Sequence, residues 1–137
     1  MRDLRLDLVI LTCAISAGIH AALAPDHFRE APWAGVAFAV ATALLSLLAV
    51  ALTVRPGDGI TFGATALVFA GLIASYVLAI TTGVPVLHPD VESVDGLALF
   101  TKAVEVAGLA ASLSLFISTE RSTTWTRHAL RARSLSH

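Results

Sequence analysis

Residues 31–54 read APWAGVAFAVATALLSLLAVALTV and contain no charged side chain. A helix needs about 20 apolar residues to cross the hydrocarbon core of a bilayer. The run meets that length, and it is far too long for the core of a small soluble domain. We therefore predict a transmembrane helix over about residues 33–53, which ends at the turn sequence Arg55-Pro56-Gly57-Asp58-Gly59.

Three further segments of the chain have the same apolar character. Only 14% of the residues are charged, against about 25% in a typical soluble domain. Strands with open edges cannot cross a bilayer, so each segment must be a helix. We predict an all-α, integral membrane four-helix bundle within residues 1–117, with spans at about 6–24, 33–53, 61–80 and 97–117. Residues 118–137 are then a polar, arginine-rich cytoplasmic tail.

Most arginines lie in three regions outside the predicted spans, all on the same side of the membrane if the chain crosses it four times. They precede the first segment, lie between the second and third, and follow the fourth. The positive-inside rule makes these regions cytoplasmic. We therefore predict a multi-pass protein of the cell membrane with both termini in the cytoplasm. The two outer loops then hold the acidic residues Asp26, Glu30, Asp90, Glu92 and Asp95.

The first segment has an alternative interpretation as a cleaved signal peptide. A basic start, an apolar stretch and the A-x-A sequence Ala22-Leu23-Ala24 are typical of one. Pro25 directly after the cleavage point and Asp7 near the apolar start disfavour it. Cleavage would leave three spans and an outer amino terminus.

Ionisable side chains within the predicted spans are costly to bury and are candidates for function. They are His20, Lys102 and Glu105, at roughly 6, 8 and 12 Å below the outer ends of their spans for a rise of about 1.5 Å per residue. Tyr76 and Thr42 reach similar levels on the other two helices. We therefore predict an intramembrane polar site in the outer half of the bundle.

Lys102 and Glu105 are three residues apart, so they share a helix face and can pair. A structural ion pair, or a Lys102 side chain that extends to the outer surface beside Asp95, is the alternative. Glu105 is too short to reach water from its depth. It must be paired, protonated or hydrated, and proton or cation exchange with His20 is its expected role.

A transition metal is a second hypothesis. His20, His27 and His88, with the outer carboxylates, supply the nitrogen and oxygen ligands that Zn, Cu, Fe or Ni accept. The histidines lack a close ligand spacing, and the alternative is that His27 and His88 are ordinary loop residues. Haem is disfavoured, because only His20 lies inside a span.

The motif His20-Ala21-Ala22-Leu23-Ala24-Pro25-Asp26-His27 resembles a pattern in a group of small bacterial membrane proteins. That group carries H-x-A-x-x-P-[D/E]-H and an acidic second outer loop. The resemblance implies a four-helix membrane fold and draws attention to His20 and His27. It implies no particular activity.

Three classes of function remain open. The first is a non-enzymatic membrane protein whose polar site handles a proton or a cation, or which serves a larger membrane complex. The second is a metal-binding membrane enzyme or redox protein, and the third is a purely structural subunit. No catalytic motif is present, so an enzyme is not expected. The expected partners are the lipid bilayer and a larger complex or a second copy, and a net charge of −1 gives no sign of a nucleic-acid partner.

Overall fold

The computed structural model describes residues 3–83 and 94–134, with side chains up to residue 122. The described residues form four α-helices, α1 (Leu4–Glu30), α2 (Pro32–Val54), α3 (Gly59–Thr81) and α4 (Gly96–Ser134). Each predicted span lies within one of them, which confirms the all-α prediction. All four helices are long and apolar enough to cross a membrane, which indicates a multi-pass membrane protein.

Aspartate side chains cap the first turn of three of the helices. The Asp3 carboxylate accepts a hydrogen bond from the Arg5 backbone N–H at 3.0 Å, and Asp58 accepts from the backbone of Ile60 at 3.2 Å. Asp95 accepts from the Ala98 N–H at 2.7 Å. These bonds satisfy amide groups that the first turn of a helix leaves unpaired. The sequence before α4 also predicts Ser93 as an N-cap, and Ser93 lies outside the described residues.

Pro25 lies inside α1 and does not end it, because the helix continues to Glu30. Asp26, His27 and Glu30, which the sequence places in an outer loop, are therefore helical. Proline costs one helical hydrogen bond, and a position near the helix end keeps that loss local. The connection to α2 is the single extended residue Ala31, whose N–H donates to the His27 carbonyl at 2.8 Å.

Helix α4 extends well beyond its predicted span. It has 39 residues and continues to Ser134, so part of the predicted polar tail is helical. At about 1.5 Å per residue, this helix is longer than a bilayer is thick. Residues 96–122 form its candidate membrane-crossing part.

The order of packing places α1 between α2 and α4, and α3 against α4. The contact between α2 and α3 is the smallest of the four interhelical contacts. Fully buried apolar side chains include Val9, Cys13, Leu45, Leu52 and Phe69, and α4 adds the buried residues Ala111 and Leu115. The core is thus continuous along the inner faces of the bundle.

Gly108 allows α4 to approach α1 and α3 closely. A Cβ atom at this position would lie 2.5 Å from a ring carbon of Phe69 and 2.7 Å from the Thr12 hydroxyl oxygen. Small residues permit such close contacts between membrane helices. The Phe69 ring therefore fills the space that Gly108 leaves.

The outer surface of the bundle is apolar. Large hydrophobic side chains such as Leu47, Ile60 and Leu67 are more than half exposed. Several buried hydroxyl groups bond within their own helices, as Thr65 does to the Thr61 carbonyl at 2.8 Å. This distribution suits a protein whose surroundings are lipid and whose polar groups must find partners inside.

Candidate functional site

A buried carboxylate lies at the centre of the candidate site. The Glu105 side chain is 0% exposed. Its Oε2 atom accepts a hydrogen bond from the Lys102 ammonium group at 2.5 Å, and its Oε1 atom accepts one from the Ser16 hydroxyl at 3.0 Å. The predicted pairing of Lys102 with Glu105 is therefore present, and a residue of α1 completes it.

His20 lies beside this carboxylate and is also buried, with 7% of its surface exposed. Its Nδ1 atom is 2.8 Å from the Ser16 carbonyl oxygen. Because a carbonyl only accepts, Nδ1 carries the hydrogen of this bond, and the neutral ring has its lone pair at Nε2. Nε2 lies 4.0 Å from Glu105 Oε1.

Helix spacing explains how Ser16 serves both partners. Ser16 and His20 are four residues apart on α1, so they share a helix face. The backbone carbonyl of Ser16 orients the His20 ring, and its hydroxyl group binds the Glu105 carboxylate. Ser16 therefore fixes the position of the imidazole relative to the carboxylate.

Lys102 connects the site to α3. Its ammonium nitrogen is 3.5 Å from the Leu72 carbonyl oxygen and 5.2 Å from the centre of the Tyr76 ring. A cation over an aromatic face is attracted by the ring electrons. The ammonium group thus bonds to Glu105, and the alternative of a Lys102 side chain extended towards Asp95 is wrong.

Tyr76 takes part through its ring. Its hydroxyl oxygen is buried, and the part of the chain that the structure describes offers it no hydrogen-bond partner. Thr42, which the sequence places at the same level on α2, donates to the Phe38 carbonyl of its own helix at 2.9 Å. The contribution of α2 beside His20 is therefore an aromatic ring and not a polar group.

That ring belongs to Phe38, which contacts both histidines of α1. Its centre lies 5.1 Å from that of His20 and 3.9 Å from that of His27, with which it is stacked at 22°. The Nδ1 atom of His27 is 3.0 Å from the Leu23 carbonyl oxygen. Each imidazole is therefore oriented by the carbonyl four residues before it.

The metal hypothesis gains no support from this geometry. Within residues 3–83 and 94–122, no three histidine, cysteine, aspartate or glutamate side chains are placed to hold one metal ion. His20 faces the paired Glu105 carboxylate, and His27 stacks on Phe38. His88, the third predicted ligand, lies outside the described residues.

Sequence reasoning missed Ser16 and Phe38. The i, i+4 relation to His20 is a signal that identifies Ser16 as a neighbour. Phe38 has no such signal, because it is one apolar residue in an apolar helix, and only the packing of α2 on α1 brings it to the histidines.

Comparison with known proteins adds no relative: no family model, no curated protein and no solved structure matches the chain. The resemblance to small bacterial four-helix membrane proteins therefore stays a prediction. The buried arrangement of His20, Ser16, Glu105 and Lys102 is the basis for assigning a function.

Proposed function

We propose that this chain is a multi-pass protein of the cell membrane that binds and releases a proton at His20, within the outer half of its bundle. One observation carries the proposal. The fully buried Glu105 carboxylate lies between the Lys102 ammonium group at 2.5 Å and the His20 Nε2 atom at 4.0 Å. Ionisable groups so deep in a membrane protein are typical of proton pathways.

The proton step follows from the orientation of the imidazole. A proton from water binds the Nε2 lone pair, and the Nδ1–H bond to the Ser16 carbonyl is retained. The resulting imidazolium has its new N–H next to Glu105 Oε1, so the carboxylate stabilises the charge. Release returns the same proton to water, and neither the ring nor the carboxylate has to change its bonds to Ser16.

Lys102 favours a proton over a metal cation at this site. Its ammonium group already binds one oxygen of the Glu105 carboxylate and balances its charge. A second fixed cation near the same carboxylate would be repelled by that ammonium group, in surroundings that screen charge poorly. A proton avoids most of this repulsion because it binds the His20 imidazole, which lies at the other oxygen of the carboxylate from Lys102.

Both termini are cytoplasmic in this proposal. Support comes from contacts that bring the arginine-bearing regions to one end of the bundle. Arg5 donates to the Ser114 hydroxyl on α4 at 3.1 Å, and a Cβ atom at Gly59 would lie 3.4 Å from the Thr119 side chain. The positive-inside rule assigns such an end to the cytoplasm.

Nitrogen NMR of the histidine rings tests the proposal in the full chain in detergent micelles. The ¹⁵N shifts of an imidazole report its protonation state, and His20→Gln identifies the His20 signals. The titration runs downwards from about pH 8 for as long as the protein stays folded, and we expect the His20 ring to pass from the neutral to the protonated state within it. Proton binding should weaken in Glu105→Gln, because the imidazolium loses its counter-charge. Ring nitrogens that keep one state throughout that range contradict the proposal.

A structural role is the second candidate, and the same contacts favour it. The bonds from Ser16 to Glu105, and from Lys102 to Glu105 and to the Leu72 carbonyl, tie together α1, α4 and α3. A purely structural subunit, or an accessory subunit of a larger complex, would use them as interhelical links. In that case Glu105→Gln lowers stability while His20 shows no titration.

A further inference from the structure

We propose that Lys102 is a displaceable counter-ion: when His20 binds a proton, its imidazolium replaces the Lys102 ammonium group at the Glu105 carboxylate, and the ammonium group turns towards the outer end of α4. This inference rests on the proposed function, because it states what proton binding does to the rest of the same site. Three features carry it: unequal distances of two nitrogens from one carboxylate, the charge balance of the site, and the direction open to the lysine side chain.

The Glu105 carboxylate is bonded to Lys102 and stands off from His20. The ammonium nitrogen lies 2.5 Å from Oε2, whereas His20 Nε2 lies 4.0 Å from Oε1. A charge-assisted N–H···O bond needs about 2.7–2.9 Å, so an imidazolium bonds to this carboxylate only after an approach of about 1 Å. Because the two nitrogens lie at different oxygens, a carboxylate that moves towards His20 leaves the ammonium group. The Ser16 hydroxyl group donates to Oε1 as well, at 3.0 Å, so its bond does not oppose this movement.

The site now balances one negative charge with one positive charge, those of Glu105 and Lys102. A proton at His20 adds a second positive charge, and a buried net charge is poorly solvated. Departure of the ammonium group restores the balance. The charged and titratable groups around His20 in the described residues are Glu105 and Lys102 on α4, His27 on α1, and the neutral Tyr76 phenol of α3 beside Lys102, while α2 contributes the Phe38 ring.

Lys102 is the member of the site that is free to leave. Its side chain is 18% exposed, whereas that of Glu105 is 0% exposed. The Cα–Cβ bonds of a helix tilt towards its N-terminal end, and this end of α4 is the outer one in the proposed topology. A long lysine side chain can hold its ammonium group at the membrane surface while its stem stays in apolar surroundings. A released Lys102 side chain therefore turns outwards.

This movement breaks the polar link between α4 and α3. The ammonium nitrogen is 3.5 Å from the Leu72 carbonyl oxygen and 5.2 Å from the centre of the Tyr76 ring. The buried residues of α3 all lie between Thr61 and Phe69, so residues 70–81 contribute none. Proton binding at His20 is thereby coupled to the contact of α3 with α4 in the outer half of the bundle.

The sequence supplies a specific reporter, because Lys102 is the only lysine of the chain and Tyr76 is the only tyrosine. In deuterated protein with protonated lysine and tyrosine, the nuclear Overhauser effect between the Lys102 Hε protons and the Tyr76 ring protons measures their contact. We expect the full chain in detergent micelles to lose this effect as the pH falls from about 8, with the same midpoint as the His20 ring titration. In His20→Gln and His20→Asn the effect should persist over the same range, because no imidazolium forms.

His27→Gln is the matched control. It removes the other imidazole of α1 and should lose the Lys102–Tyr76 effect as the parent does. A loss that disappears in this variant would assign the response to His27 and overturn the displacement, as would an equal loss in the two His20 variants.

Two further outcomes separate the displacement from the proposed function. If His20 becomes protonated while the Lys102–Tyr76 effect persists, or while the ¹⁵Nζ shift shows that Lys102 has lost its proton and stayed in place, the displacement is overturned and the proposed function stands. A His20 ring that does not titrate in the parent overturns both.

Discussion

The ammonium nitrogen of Lys102 lies 2.5 Å from the carboxylate of Glu105, one helical turn further along α4, and that carboxylate is wholly buried. Removal of one member of such a pair leaves an uncompensated charge in surroundings that solvate it poorly. The pair therefore determines both the stability of the bundle and the charge that His20 experiences.

Lys102→Met tests this dependence. It removes the ammonium group and keeps a side chain of similar shape, so the Glu105 carboxylate loses its counter-charge. We expect the free energy of unfolding in micelles, from denaturant titration, to fall by about 3–5 kcal/mol. The double variant Lys102→Met/Glu105→Gln should recover most of that loss. A single-variant cost below about 1 kcal/mol, typical of an exposed pair, would show that Glu105 is not buried as described.

Tyr76 should respond differently to loss of its hydroxyl group and loss of its ring. The hydroxyl group is buried without a partner in the described part of the protein, so Tyr76→Phe should leave stability unchanged or raise it. Tyr76→Leu removes the aromatic face near Lys102 and should cost about 0.5–2 kcal/mol. Thermal unfolding of both variants provides the measurement. A large loss in Tyr76→Phe would mean that the hydroxyl group has a bonding role.

Gly108 should not tolerate alanine. The added Cβ would lie 2.5 Å from a Phe69 ring carbon and 2.7 Å from the Thr12 hydroxyl oxygen. We expect a loss of about 1–3 kcal/mol in the free energy of unfolding, the usual cost of overpacking. Gly71→Ala on α3 is the matched control, because a Cβ there meets nothing within 4 Å. Equal effects of the two substitutions would argue against the close contact of α4 with α1 and α3.

The hydrogen bonds that the Asp58 carboxylate accepts lead us to predict that the folded protein loses stability in acid. The Thr61 hydroxyl group, followed by the backbone amides of Ile60 and Thr61, holds the pKa of the Asp58 carboxyl below its usual value. A pKa that is lowered in the folded state contributes stability above the unfolded value of about 3.9. That contribution disappears as the pH falls through the folded pKa.

The measurement is the unfolding midpoint as a function of pH, from about 7 to below 4. Asp58→Asn keeps an amide oxygen that can cap α3 but cannot titrate, so its curve should be flatter than that of the parent. The pKa of Asp3 is lowered in the same direction by Arg5, and the difference between parent and variant cancels that contribution. Identical curves would remove Asp58 as a source of the pH dependence.

Hydropathy was sufficient to predict the four helices, because each span must be long and apolar to cross lipid. The predicted span of residues 33–53 differs from Pro32–Val54 by one residue at each end. The course of the chain at Pro25 could not be predicted, because proline near a helix end is compatible with either a break or a continuation. The single-residue connection at Ala31 follows from that continuation.

The sequence was sufficient to predict only those contacts of the candidate site that join two residues of the same helix. The spacing of Lys102 and Glu105 fixes a shared face, and the same rule connects Ser16 with His20. The contact of Ser16 with Glu105 joins residues on α1 and α4, and that of His20 with Phe38 joins α1 and α2. Such contacts depend on the rotation of each helix about its axis, which an apolar pattern on all sides leaves undetermined.

Proton uptake by oriented protein tests the central claim most directly. The chain is reconstituted in sealed vesicles, its orientation is measured by protease access to a carboxyl-terminal tag, and a membrane-impermeant dye outside reports pH after a small addition of acid. We expect each chain with its carboxyl terminus inside to take up more protons than His20→Gln does, by up to about one per chain, as acid is added from about pH 8. Equal uptake by the parent and by His20→Gln would contradict a proton site at His20 that is reached from the outer side.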